Sequence, residues 1–273
     1  VDAKIFEVTE SRIRQLETER ALKDELIDKT STFNFILIGS VLLLIVLMGL
    51  LTKTVISVRQ RNKRIALQSL RREMNPHFIF NSLNSVNHFI AENNEREANK
   101  YLTSYSALMR NMMESSNKDF VSLANEIEQL RKYLSLEHLR FKDKFDFEIH
   151  VDESLDPEVV QVPNMLLQPH LENAIWHGLR YRESKGMLRL SFEDNGSSIR
   201  AIITDNGIGM AQSQALKTQN QRVHQSRGLG NVAERIRLLN QLFGTHIAYS
   251  IADNPDGSGT RVEVLLAKST RNA

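Results

Sequence analysis

No charged side chain occurs between Thr30 and Thr52, and the centre of that run, Phe35-Ile36-Leu37-Ile38 and Val41-Leu42-Leu43-Leu44-Ile45-Val46-Leu47, is almost wholly apolar. At about 1.5 Å rise per helical residue, such a run spans the roughly 30 Å hydrocarbon layer of a bilayer. The pattern predicts a transmembrane helix over residues 33–52. A signal peptide does not fit, because a long acidic-basic stretch precedes the run and no small-residue cleavage site is present. In that preceding stretch, residues 1–32, Ile5, Val8, Ile13 and Leu16 recur at roughly helical spacing, but Arg20 and Lys23 then fall on the seam. A coiled coil and a solvated helical linker therefore both stay open for an extracytoplasmic helical segment, the end of a truncated sensor. After the run come Lys53, Arg59, Arg61, Lys63, Arg64, Arg71 and Arg72, with no acid before Glu73. Excess Lys and Arg marks the cytoplasmic side, so the chain beyond residue 53 is expected in the cytoplasm of a single-pass inner-membrane protein.

Residues 53–72, with Val55, Val58 and Ile65 at helical spacing and Leu70 nearby, read as a signalling helix running into the next segment. Residues 73–118 read as an antiparallel helical hairpin, broken at Asn93-Asn94, where Asn94 and Glu97 have the spacing of a capping box. Leu102, Tyr105, Met109 and Met112 form a stripe on the second helix. A lone hairpin cannot bury such stripes, so two chains are expected to pair in a four-helix bundle, a homodimer. The methionines read as core packing rather than metal ligands.

Residues 115–119 read as a short polar hinge. A helix from about Ser122 then carries Leu123, Ile127, Leu130, Leu134 and Phe141 on one face. Alternation predicts strands at 145–151, 187–192, 199–204, 246–251 and 261–266, with helices at about 164–177 and 231–243. The result is an α-helical transmembrane and dimerisation region followed by a two-layer α/β sandwich over 119–268.

Composition narrows the classes. The 273 residues have room for two compact domains plus a membrane segment. A net charge of +2 gives no sign of direct nucleic-acid binding. With no cysteine, disulfide frameworks, thiolate zinc sites and cysteine nucleophiles are excluded. The chain starts at Val1 rather than Met, so an upstream part is expected to be missing.

The candidate chemistry lies in five motifs. Asn75-Pro76-His77-Phe78-Ile79-Phe80-Asn81-Ser82-Leu83-Asn84 places a histidine after a proline among closely spaced apolar residues. Gln168-Pro169-His170-Leu171-Glu172-Asn173-Ala174-Ile175-Trp176-His177-Gly178 is an Asn/Glu helix ending in glycine. Thr204-Asp205-Asn206-Gly207-Ile208-Gly209 puts a carboxylate at a predicted strand end, followed by glycines. Arg227-Gly228-Leu229-Gly230-Asn231 sets glycines immediately before a helix, whose first amides bind phosphate. Asp256-Gly257-Ser258-Gly259-Thr260 is a later glycine motif. Each piece alone would read as a turn, a cap or a structural polar residue.

Together, in this order, they resemble the LytS/YehU-type sensor histidine kinases, with the phospho-acceptor box at Asn75–Asn84 and a GHKL (Bergerat-type) ATP-binding domain continuing to about Lys268. The resemblance implies autophosphorylation of His77 from Mg·ATP and transfer to an aspartate of a response regulator, one with a LytTR-type output. It implies Asn173 as the Mg²⁺ ligand, through its side-chain oxygen, and His177 facing the phosphates. It also implies Asp205, Gly207 and Gly209 at adenine, with Thr260 assisting Asp205. Gly228 and Gly230 would lie at the phosphates, where Arg227 or the lid residues Lys217 and Arg222 would supply positive charge; the choice among these stays open. Glu172 fits the family pattern in a role left open.

The chain departs from related sequences in three ways. Trp176 stands where many histidine kinases carry a phosphate-reaching lysine. Pro169 stands where related ATP-hydrolysing proteins place a water-activating glutamate, which favours transfer over hydrolysis. Phe78 follows His77 where other histidine kinases have an acid, leaving Glu73, four residues before, or Asn81, four after, to orient the ring. Pro76 stands between Glu73 and His77. His88 and His138 read as ordinary polar residues. Trp176 and the absence of a readable F box in the lid keep a rival reading open, a non-catalytic membrane relay with a degenerate site; a second rival is a chaperone-type ATP-hydrolysing machine.

Overall fold

The computed structural model describes the backbone of residues 2–73, 75–115, 118–216 and 219–270; side chains are described outside 1–9, 11, 71–78, 81, 88, 116–117, 217–229 and 269–273. The chain divides into two units, Val1–Asn62 and Lys63–Ala273, each taken by itself below.

Helix α1 (Asp2–Glu73) opens the chain. It is long and apolar enough to cross a membrane, and its apolar stretch is fully exposed within this chain. The few hydroxyls in that stretch turn back onto the helix: Ser40 donates to the Leu37 carbonyl at 2.8 Å, and Thr52 to that of Met48 at 2.8 Å. Inside hydrocarbon, where water offers no partner, that self-satisfaction is what a polar side chain needs.

In the second unit, α2 (Asn75–Ala91) and α3 (Glu95–Ser115) form the expected hairpin. At the turn Asn93 adopts a left-handed φ of 54°, and Asn94 Oδ1 accepts from the Glu97 amide at 3.3 Å, as the capping pattern predicts. The buried stripe on α3 differs from the expected one. It is Ala98, Tyr101, Leu108 and Met112, whereas Leu102 is exposed. With Phe80, Leu83, Ile90 and Met113, Leu102 leaves the hairpin several exposed apolar side chains.

Helix α4 (Leu123–Arg140), capped by Ser122, packs against α3 and against the strands that follow. The sequence anticipated one apolar face, but Gln129, Tyr133 and Glu137 are buried as well, because α4 is covered by the hairpin and by the strands. The main sheet has the order β2 (Phe145–Val151), β4 (Gly186–Asn195), β5 (Ser198–Asp205), β7 (Thr260–Ala267), β6 (Ala248–Asp253). Only the β2–β4 pair is parallel. Leu188, Leu190 and Phe192 on β4 and Val262, Val264 and Leu266 on β7 alternate into one buried face, the signature of two layers. Four of the five strands fall where they were expected, and β6 starts two residues later, at Ala248 rather than His246. A second, three-stranded sheet of β1 (Phe120–Ser122), β3 (Val160–Pro163) and β8 (Ser269–Thr270) was not anticipated, since strands this short carry no readable alternation.

Next to β3 lies a buried polar node. Asn164, fully buried, donates through Nδ2 to the carbonyls of Ser115 at 2.7 Å and Lys118 at 3.3 Å, while its own amide donates to Asp119 O at 3.1 Å. The segment read as a hinge is therefore bonded at both described ends to the turn that follows β3. Arg235, on α7 (Gln219–Phe243), donates to the carbonyls of Met165 at 2.9 Å and of Asn164. Glu126 accepts from the Met165 amide at 2.9 Å, and burial pushes its carboxyl up to about 7. Met165 itself sits at φ 57°, so the helix expected from 164 cannot start there.

His170 is buried, stacked at 5.7 Å from the Tyr249 ring, with neither ring nitrogen hydrogen-bonded among the described residues. Burial lowers its pKa to about 4. The native state thus binds fewer protons here than the unfolded chain, and stability falls as pH drops from the unfolded value of about 6.5 towards 4. We expect wild type to lose about 2 kcal/mol more than His170→Leu between pH 7 and 5. Thermal unfolding of both at the two pH values checks this; parallel curves would refute it.

Candidate nucleotide site

Asp205 ends β5, with its side chain buried. The antiparallel pairing of β5 with β7 brings Thr260, the first residue of β7, alongside, and the Thr260 hydroxyl donates to Oδ2. The Gly207 amide donates to Oδ1 at 2.8 Å. Burial raises the carboxyl's pKa, and these donors pull it partly back. A carboxylate has about four lone-pair positions. Three are used, by the Thr260 hydroxyl and amide and the Gly207 amide, and the remaining one fits an amine such as that of adenine. The pairing of Asp205 with Thr260 is the arrangement expected from the motifs.

The floor beneath Asp205 is backbone packed on backbone. Asn254 Nδ2 donates to the carbonyls of Asp205 at 2.8 Å and Ser258 at 2.6 Å, tying the β6–β7 turn to the end of β5. A Cβ on Gly207 would lie 2.6 Å from the Gly178 carbonyl carbon, so the two motifs meet only because both residues are glycine. Gly209 opens α6 (Gly209–Leu216), and the next amide, of Met210, donates to Asp253 at 2.8 Å.

The Asn/Glu helix is shorter and more varied than predicted. Residues 164–167 are a turn; α5 runs from Gln168 to Asn173 with Pro169 in its first turn, followed by a π turn (Ala174–Gly178) and a 3₁₀ turn (Leu179–Tyr181). The Leu179 amide bonds back to the carbonyls of Ala174 and Ile175. Single π turns inside helices recur at functional sites. Asn173 is half-buried and its carboxamide makes no hydrogen bond among the described residues, leaving an oxygen free for a hard cation. His177 and Glu172 are also half-buried. The Glu172 charge is felt by the buried Tyr133 hydroxyl of α4, whose pKa is raised mainly by burial.

One expectation is corrected. Residues 227–231 do not precede a helix; they lie within α7, which starts at Gln219. The polar run before them contains no proline, and a long helix tolerates two glycines at about 1 kcal/mol each. Gly230 is exposed, and a Cβ there would meet nothing within 4 Å. The side chains of Glu73, His77, Asn81, Lys217, Arg222, Arg227 and Gly228 lie outside the described residues. Glu73 is the last described residue of α1 and His77 lies on α2, and the residue that links the two helices, 74, lies outside the described residues. Asn81 does share α2 with His77.

Sequence reasoning missed the setting of Trp176. Its buried ring meets the Phe141 ring edge-on at 5.3 Å, and the guanidinium carbons of Arg140 and Arg180 lie 4.4 and 5.1 Å from its centroid. The recurrence of Arg140, Phe141, Trp176 and Arg180 at helix ends was visible, but nothing in one sequence joins them.

Comparison with known proteins gives a consistent picture. The family profile described as Histidine kinase matches residues 65–145. The sensor histidine kinase/phosphatase LytS of Staphylococcus aureus strain Mu50 is 30% identical over 198 residues, 72% of this chain and 33% of its own length. The sensor histidine kinase YpdA of Escherichia coli is 28% identical over 218 residues, covering 77% of this chain and 38% of its own. The chain thus spans about a third of the length of these curated relatives. Among solved structures, the histidine kinase AdeS of Acinetobacter baumannii is 17% identical, with a TM-score of 0.38 over 77% of this chain and 97% of that one.

Proposed function

We propose, from the premise that this chain belongs to the LytS-type sensor histidine kinases, that it binds Mg·ATP at Asp205 and Asn173 and transfers the γ-phosphoryl group to His77. The single observation that carries the reading is the buried Asp205 carboxylate, held by Thr260 and the Gly207 amide at the mouth of a glycine-lined floor with a lone-pair position to spare. Asn173 would hold Mg²⁺ through one side-chain oxygen, the remaining ligands being phosphate and water; the ion would neutralise charge on the transferring group. His177 would face the phosphates. Asp205 gives selectivity for adenine, and the protein's contribution is mainly to place the donor against the His77 ring. An ordinary imidazole, with pKa about 6.5, is largely neutral at cytoplasmic pH and so has a free ring nitrogen for attack. Glu73, four residues before His77, or Asn81, one turn on in α2, would orient that ring.

The exposed apolar side chains of the hairpin, Phe80, Leu83, Ile90, Leu102 and Met113, support a homodimer in which a second copy covers them. The phosphoryl group would then pass to a response regulator of the LytTR type. The apolar stretch of α1 supports a single-pass membrane anchor at 33–52, with the basic flank and all that follows in the cytoplasm. Residues 73–118 would be the phosphotransfer hairpin and 119–268 the ATP-binding domain.

Asp205→Asn tests the adenine contact. Removing a charge-assisted hydrogen bond should weaken both adenosine and Mg·ATP by about 10- to 100-fold, read by calorimetry on the detergent-solubilised chain. Unchanged adenosine affinity would remove Asp205 from the site.

A further inference from the structure

The geometry points to Arg180 as a phosphate-binding residue that replaces the lysine missing at position 176, with the Trp176 ring as its platform. This inference rests on the nucleotide reading above. Where a lysine would deliver its own charge, this chain has an indole with two guanidiniums stacked against it. The two cations differ. Arg140 is half-buried, and its charge is answered by the buried Glu137 of the same helix. Arg180 is exposed, and among the described residues it has no hydrogen bond and no ion pair. Its guanidinium is nevertheless held, 5.1 Å from the Trp176 centroid and 5.7 Å from that of Tyr181. Cation–π contact of this kind is attractive and restrains the side chain before any ligand arrives. The guanidinium carries five N–H donors, none of them used among the described residues, and their fork matches two oxygens of a phosphate.

Position matters as much as charge. Arg180 lies on the 3₁₀ turn directly after the π turn that follows Asn173. At its start, Gly178 packs against Asp205 and Gly207. The turn bearing Arg180 is therefore joined to the adenine end on one side and to the metal-binding carboxamide on the other. A second like charge, Arg140, stands across the same indole and disfavours leaving Arg180 without an anion. The chemistry that satisfies this arrangement is a multiply charged phosphate chain, such as the terminal phosphates of the bound nucleotide.

The experiment compares a non-hydrolysable Mg·ATP analogue with adenosine on the detergent-solubilised full chain, as wild type, Arg180→Ala and Arg180→Lys. Arg180→Ala should weaken the triphosphate about 10- to 100-fold and leave adenosine unchanged, with Arg180→Lys recovering part of the loss. Trp176 is the only tryptophan, so its emission provides a second readout. It should shift with the analogue and not with adenosine, and the shift should vanish in Arg180→Ala. Equal losses for both ligands would make Arg180 a structural residue and overturn the inference, as would an unchanged triphosphate affinity. If wild type binds neither ligand, the nucleotide reading itself fails and takes this inference with it.

Discussion

Gly259→Ala should abolish adenine-nucleotide binding and lower the stability of the ATP-binding domain by about 2–6 kcal/mol. The residue adopts φ +74°, which an alanine occupies only under strain. A Cβ there would also overlap the Asp205 carbonyl and lie 2.6 Å from the Gly207 amide nitrogen. Both obstacles are backbone, so no rotamer change relieves them. The same amide anchors Asp205 Oδ1, and the displaced carbonyl is the one held by Asn254. Strain and misplacement of the adenine-binding carboxylate therefore arrive together. Gly257→Ala separates the two effects: its φ is +75° but a Cβ would meet nothing within 4 Å. It should cost only about 1–2 kcal/mol and leave binding intact. Thermal unfolding and nucleotide titration of both variants check the pair; similar behaviour would show that close packing at Gly259 is unimportant.

Arg235→Met should destabilise the fold by about 3–5 kcal/mol, the range for removing one partner of a buried charge pair. Arg235 is buried, and its fork holds two successive carbonyls in the turn that starts the Asn/Glu segment. Without it, the Met165 and Asn164 carbonyls lose their donors, and Glu126 loses the nearby positive charge that partly offsets its burial. Arg235→Lys should recover little, since one ammonium lacks the planar fork that spans both carbonyls. Arg235→Met combined with Glu126→Gln should recover little at neutral pH, because the Glu126 carboxyl, already raised to about 7, takes up a proton once the nearby cation is gone. Denaturation midpoints of the three variants measure this. A loss below about 1 kcal/mol for Arg235→Met would place the node among minor contacts.

These two sites differ in how far the sequence revealed them. The grouping of Asp205, Gly207 and Thr260 came from the resemblance, since each motif alone reads as a turn, while the alternation on either side fixed β5 and β7. The long apolar stretch of α1 was legible from length and the absence of charge. The polar node was not. Glu126 and Arg235 lie on helices whose charges read as solvated, and only the coverage of α4 by the hairpin and the strands makes burial of Glu126 unavoidable. A hint was present, since Arg235 falls between Val232 and Leu238 on the buried side of α7. The start of the Asn/Glu helix was misread because nothing local announces that Met165 takes a left-handed conformation; the bonds to its amide and carbonyl come from residues 39 and 70 positions away. The beginning of α7 was misread for the opposite reason: polar residues without periodicity looked like a loop, and two glycines looked like its end.

The central claim is that the His77 ring receives phosphate from the nucleotide held at Asp205 and Asn173. Incubating the solubilised chain with Mg·ATP labelled in the γ position tests it most directly. The account predicts acid-labile label on wild type, none on His77→Ala, and undiminished nucleotide binding by that variant. Label that persists in His77→Ala, or a wild type that binds the nucleotide and never acquires label, would contradict it.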